Sequence, residues 1–66
     1  MKETRKIRLF EIRRTERAVL FRTTPKENRE GDEHWLPLLE IEHISKFPTG
    51  ECVVTIPEWL ADSRGL

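Results

Sequence analysis

Asp32, Glu33, His34, His43 and Cys52 are the side chains in this sequence whose types could bind a metal ion or attack an electrophile. A structural zinc site needs four well-placed ligands, usually cysteine or histidine pairs at fixed spacing. Here a single cysteine stands with two histidines that lack the i, i+4 spacing of a helical pair. The spacing predicts no metal site; the histidines read as solvated imidazoles and the thiol as a small buried hydrophobe. Cys52 as a nucleophile would need a neighbouring base and an electropositive setting. Between Glu51 and Val53 it has neither, and Ser45 and Ser63 lie in no nucleophile motif. The expectation is a protein that is not an enzyme, with no catalytic residue and no cofactor.

Charge offers a different chemistry. Residues 1–22 hold eight Lys/Arg against three Glu, a net of +5, and residues 23–66 hold four against nine, a net of −5, so that the total is zero. Arg8, Arg13, Arg14, Arg17 and Arg22 could present guanidinium groups to phosphates, a contact for which arginine is well shaped. The plainer reading pairs them across strands with Glu11, Glu16, Glu40, Glu42 and Glu51. Neutral overall charge and the absence of interleaved aromatics in that set count against nucleic acid. The acidic half permits the mirror image. Glu27, Glu30, Asp32 and Glu33, joined by Glu58 and Asp62, could imitate phosphates before a basic groove, although a run of charge is ordinarily a solvated loop.

The apolar segment Trp35, Leu36, Pro37, Leu38 and Leu39 is the candidate for docking on a protein partner. Tryptophan is enriched at binding hot spots, and consecutive leucines beside a proline suit an irregular edge better than a paired strand. Trp59 reads as a core residue, and Trp35 reads equally as core or surface.

The elements that must position these residues are short. At 66 residues the chain is one domain near the lower limit for a self-sufficient core. With 36% hydrophobic and 36% charged residues, a partner or self-association could supply further burial. A strand over Lys6 to Arg13 alternates polar and apolar but changes phase between Leu9 and Phe10, which predicts a bulge there. Ala18-Val19-Leu20-Phe21 completes a hairpin. Residues 24–33 are polar throughout, with Pro25 and Gly31, and read as a flexible loop. Pro37 predicts a strand end or sheet edge. Residues 38–41 stay ambiguous between a helical turn and an irregular crossover. A strand over 42–47 leads into Phe47-Pro48-Thr49-Gly50, a type I turn, and Glu51-Cys52-Val53-Val54-Thr55-Ile56 is the clearest strand. Thr55 and Glu58 match a capping box for a helix over 57–64, and Gly65 sits where a left-handed cap is expected. The predicted fold is mainly β: a small five-stranded antiparallel SH3-like barrel or roll with a short C-terminal helix. The lone cysteine points to a reducing compartment. The sequence carries no secretion-signal core and no apolar run of membrane-spanning length, so a cytoplasmic location is expected.

Two segments, His34-Trp35-Leu36-Pro37 and Ile56-Pro57-Glu58-Trp59-Leu60-Ala61 with Gly65-Leu66, resemble short, largely uncharacterised proteins of bacteriophages and mobile elements. In these, a Trp-(Ile/Leu)-Pro segment precedes a Pro-x-Trp-Leu-Ala stretch. The likeness runs from about Ala18 onward; Leu38 and Leu39 depart from it, standing where small polar or basic residues are usual. The resemblance implies a phage or mobile-element protein in a bacterial cytoplasm, and brings no active residues with it. Phage proteins of this size often act by binding and blocking. The expected function is therefore an interaction module, an anti-defence inhibitor among the options. Nucleic-acid binding through the basic hairpin is the alternative, and self-association can accompany either.

Overall fold

The computed structural model describes residues 3–66. Five strands, β1 (Thr4–Arg14), β2 (Ala18–Arg22), β3 (Glu33–Pro37), β4 (His43–Lys46) and β5 (Glu51–Pro57), form one antiparallel sheet in the order β3-β2-β1-β5-β4. A 3₁₀ turn over Leu38–Glu40 crosses between the two edge strands, and α1 (Glu58–Arg64) follows β5 directly. The fold is thus mainly β with a C-terminal helix. The sheet is open, with no ladder between β3 and β4.

Alternation sorts each strand into two faces. Ile7 and Leu9 of β1 stand beside Val54 and Cys52 of β5, while Val19 of β2 stands beside Leu36 of β3. With Phe21 and Ile56 these residues form the inner face, and Leu60 and Ala61 of α1 cover it. Leu38 and Ile41 of the crossover, Ile44 and Leu66 pack around the margin. The core is therefore one-sided: the helix and the crossover cover one face of the sheet, and on the other only the loop over 24–33 closes over Arg22 beside Phe10.

The bulge lies further along β1 than the phase change suggested. Glu11 pairs with Phe21 and Arg13 with Leu20, so Ile12 is the extra residue. Leu9 is buried and Phe10 is not, because the phase is preserved at that step and Phe10 turns to the outer face. Past the bulge, Arg14 comes to the same face as Val19, its register partner.

Edge strand β3 explains Pro37. Leu38 N–H donates to Arg17 O at 2.8 Å and Thr23 N–H to Asp32 O at 3.1 Å, in register with the Val19–Leu36 and Phe21–His34 pairs. By the alternation of antiparallel ladders, the backbones of Glu33, Trp35 and Pro37 face the free edge. Proline there forfeits no ladder bond, and Arg64 Nε donates to the Trp35 carbonyl at 3.4 Å.

The helix starts without the expected capping box. Thr55 belongs to β5, which continues through Pro57; Pro57 occupies the cap position and no side chain caps the helix. Extended strand backbone keeps Thr55 out of reach of the first turn. The other end is as expected: Gly65 is left-handed at φ 73°, Gly65 N–H donates to Asp62 O at 3.2 Å and Leu66 N–H to Ala61 O at 2.8 Å. This is a Schellman closure, and its hydrophobic member Leu66 packs on the core. Strand β4 is shorter than the expected 42–47, and the turn after it is closed by Gly50 N–H to Phe47 O at 3.0 Å.

Candidate functional site

The five residues of the apolar segment do not form one surface. Leu36 alternates inward and is fully buried in the core, so its assignment to a partner surface is corrected. Leu38 is half-buried against the core, whereas Leu39 is 98% exposed. Pro37, Leu38 and Leu39 line a cleft of about 510 Å³ together with Glu16 and Arg17 of the β1–β2 connection. That connection is tightened by Thr15, whose N–H donates to Ala18 O at 2.8 Å and whose hydroxyl accepts from Ala18 N–H at 3.2 Å. The cleft thus has a rigid floor, an apolar side and one charge of each sign. Trp35 points away from Leu36 onto the outer face of the sheet, 43% exposed, and does not line the cleft.

The basic set also divides. Arg22 is only 6% exposed: its Nε and Nη2 donate to Glu33, and its Nη1 donates to the Lys26 and Asn28 carbonyls at 3.2 and 3.4 Å. It organises the loop, with four of its five N–H donors committed there. Arg14 donates to Glu11 at 2.9 Å, and Lys46 approaches the same carboxylate at 3.5 Å. Burial pushes the Glu11 carboxyl up, but Arg14 and Lys46 outweigh it and hold the group below its usual range. Arg17 lies at the cleft instead of on a basic hairpin face. Arg8 keeps a long 3.9 Å contact with Glu51, and Arg13 has no ion pair among the described residues. The hairpin cluster of Arg8, Arg13, Arg14, Arg17 and Arg22 is therefore corrected to two outward arginines, Arg8 and Arg13. Arg14 and Arg22 are committed to Glu11 and Glu33.

Arg5, one more basic residue of the first strand, joins that strand to the helix. It donates to Glu58 at 2.9 Å and to the Leu66 carbonyl at 3.0 Å, and pairs with Asp62 at 3.0 Å. The hydrogen bonds to Glu58 and Asp62 raise its pKa further. Glu3 meets the same cluster from the other side; its hydrogen bond with Glu58, then the repulsion between the two carboxyls, raises its pKa. The i, i+4 spacing of Glu58 and Asp62 was the available signal for this anchor. Its partner across 53 residues was not visible in the sequence.

The loop over 24–33 is irregular, as its composition predicts, and it is tied to the sheet. Besides the Arg22 contacts, Thr24 Oγ1 donates to Asn28 O at 2.6 Å and Asp32 N–H to Thr23 Oγ1 at 3.1 Å. Gly31 fits where a Cβ would lie 2.4 Å from Thr24 Oγ1. Trp59, read from sequence as core, is instead 60% exposed, because the short helix buries only Leu60 and Ala61. Cys52 is buried in the core. Among the described residues no three His, Cys, Asp or Glu side chains converge as metal ligands, and no helix is long and apolar enough to cross a membrane.

Comparison with protein families, with curated proteins and with solved structures returns no match for the chain. The functional reading therefore rests on the two surfaces themselves: the apolar cleft at residues 37–39 and the open outer face of the sheet.

Proposed function

We propose that this protein is a small β-sheet interaction module that works by docking on a protein partner through Pro37, Leu38 and Leu39. The observation that carries this reading is Leu39, almost wholly exposed at the rim of the cleft. A single exposed leucine is unremarkable. One that continues a half-buried proline and leucine into a cleft, on a crossover hydrogen-bonded at both ends, is a preorganised apolar step. The crossover is fixed by Leu38 N–H to Arg17 O and Glu42 N–H to Thr55 O, both 2.8 Å, so a partner would order little on binding. The fitting occupant is an apolar side chain flanked by charge, since Glu16 and Arg17 border the cleft.

An SH3-like roll is the finer reading of the architecture. Its support is the 3₁₀ crossover that links the two edge strands, with Leu38 and Ile41 turned to the core. In the phage or mobile-element setting that the resemblance implies, docking would block or modulate a host or phage protein in the bacterial cytoplasm, without catalysis.

The test is Leu39→Asp alongside Leu39→Ala, with partner capture from a bacterial lysate followed by titration of the purified partner. Both variants should hold their unfolding free energy within about 0.5 kcal/mol, as surface changes do, and both should lose the partner. Undiminished partner affinity in Leu39→Asp, or a collapse of stability in Leu39→Ala, would overturn the assignment.

A further inference from the structure

The geometry points to a second surface with a different occupant: the outer face of the sheet is a platform for single-stranded nucleic acid, built on Lys6, Arg8, Phe10, Arg13 and Trp35. This goes beyond the docking cleft and does not depend on it.

Lys6, Arg8 and Phe10 follow one another on the outer side of the central strand, about 6.6 Å apart at the rise of a strand. The bulge at Ile12 then keeps Arg13 on that same side, in register with Leu20, which in turn stands beside Trp35 on β3. Exposed Trp35 and half-buried Phe10, whose ring borders the loop at Pro25 and Lys26, therefore share one face with three cations, an arrangement the linear sequence conceals because Trp35 is two strands away.

The cations on this face are available. Among the described residues Lys6 and Arg13 have no ion pair, and Arg8, its side chain 79% exposed, has only the 3.9 Å contact with Glu51. Two carboxylates share this face, Glu51 beside Phe10 and Glu33 held by Arg22, while Glu58 and Asp62 are held by Arg5 and Glu11 by Arg14 and Lys46 on the other side. On the helical side the carboxylates Glu11, Glu58 and Asp62 are thus paired with Arg5, Arg14 and Lys46, whereas Lys6 and Arg13 on the sheet face are left without a partner among the described residues. Beyond Phe10 the face continues into a cleft of about 550 Å³ whose lining adds Lys26 and Arg29, opposite Asp32 and Glu33.

A positive track interleaved with aromatic faces is what single strands need: phosphates meet the cations while unpaired bases stack. A duplex has no free base face to offer Phe10 or Trp35, and a broad open sheet does not enter a groove. Charge complementarity and stacking together select a single strand of DNA or RNA.

The experiment uses the intact chain with a labelled oligothymidylate of about 12 nucleotides, the matching duplex and a uridylate of the same length. Three phosphate contacts give a log–log salt slope of about −2, and Arg13→Gln or Lys6→Gln should each flatten it by about 0.7. Trp35→Ala should weaken binding about tenfold with the slope kept, because it removes stacking and no charge. Fluorescence separates the two tryptophans without touching the cations. In Trp59→Phe the remaining Trp35 should be quenched by the oligonucleotide, and in Trp35→Phe the remaining Trp59 should not be. No binding at about 50 mM salt would overturn the proposal. So would equal affinity for duplex and single strand with Trp35 unquenched, the outcome expected of unspecific polyanion attraction.

Discussion

Arg22→Met removes the guanidinium that ties the loop to the sheet while keeping the side chain's volume. The structure sets the size of the effect. Two carbonyls, Lys26 O and Asn28 O, lose a charged donor, and Glu33 loses a two-point partner. Hydrogen bonds to charged groups contribute about 1.5–3 kcal/mol each, but Glu33 reaches solvent and the loop carbonyls can find water once released. A net loss of about 2–3 kcal/mol follows, below the 3–5 kcal/mol that a fully enclosed pair would cost. In a domain of this size that lowers Tm by roughly 10–20 °C. Arg14→Met, which breaks the more exposed pair with Glu11, should cost no more than about 1 kcal/mol. The assay is urea unfolding followed by circular dichroism, with limited proteolysis reporting cleavage within 24–33. If Arg22→Met unfolds at the same urea concentration as Arg14→Met and its loop resists protease as well as the parent's, the anchoring role assigned to Arg22 is wrong.

Acid should act on two carboxyls with opposite signs. Glu11 has a folded pKa below its unfolded value, so its contribution is complete above the unfolded pKa and is lost as pH falls through the folded one. Glu11→Gln should therefore be less stable than the parent at neutral pH and converge on it in acid, as read by urea midpoints across the carboxyl range. Glu3 is raised by its hydrogen bond with Glu58 and their repulsion, so its contribution is complete below the unfolded pKa and is lost as pH rises through the folded one. Glu3→Gln should be the more stable protein at neutral pH and lose that advantage on acidification. Gly65→Ala puts a Cβ on left-handed backbone at φ 73° and should lower stability by about 1 kcal/mol in thermal melts. Gly31→Ala places a methyl 2.4 Å from Thr24 Oγ1, and should increase loop proteolysis before it changes the sheet.

Strand and turn chemistry was legible in the sequence wherever a residue's own covalent limits decided its place. Pro37 at an edge, Gly65 at a helix end and the β-branched run ending at Ile56 all fell where local rules put them. The one-sided burial was harder to read. Phe10 and Ile12 look like core residues in isolation; only the register of β1 against β2 and β5 turns Phe10 outward, and only the bulge puts Ile12 at the cleft beside Arg22. Trp59 was misread for the same reason, since a seven-residue helix can bury one stripe and the larger ring fell outside it. In the candidate surfaces, Leu39 could be picked out from sequence but Leu36 could not be separated from it without the pleat. The arginines divided according to which glutamates folding brought near, and Arg22 with Glu33 became neighbours only through the hairpin between β2 and β3.

The first strand occupies the middle of the sheet, and its second neighbour is the last strand, β5. A nascent chain that has emerged only as far as Gly50 can form the meander of β1, β2 and β3, but one flank of β1 stays unzipped until Glu51–Pro57 arrives. Closing that seam joins residues distant along the backbone, an entropic cost that slows folding. Refolding should accordingly be limited by the docking of β5 onto β1, and a ribosome-bound intermediate would expose the Ile7 and Leu9 side of its longest strand.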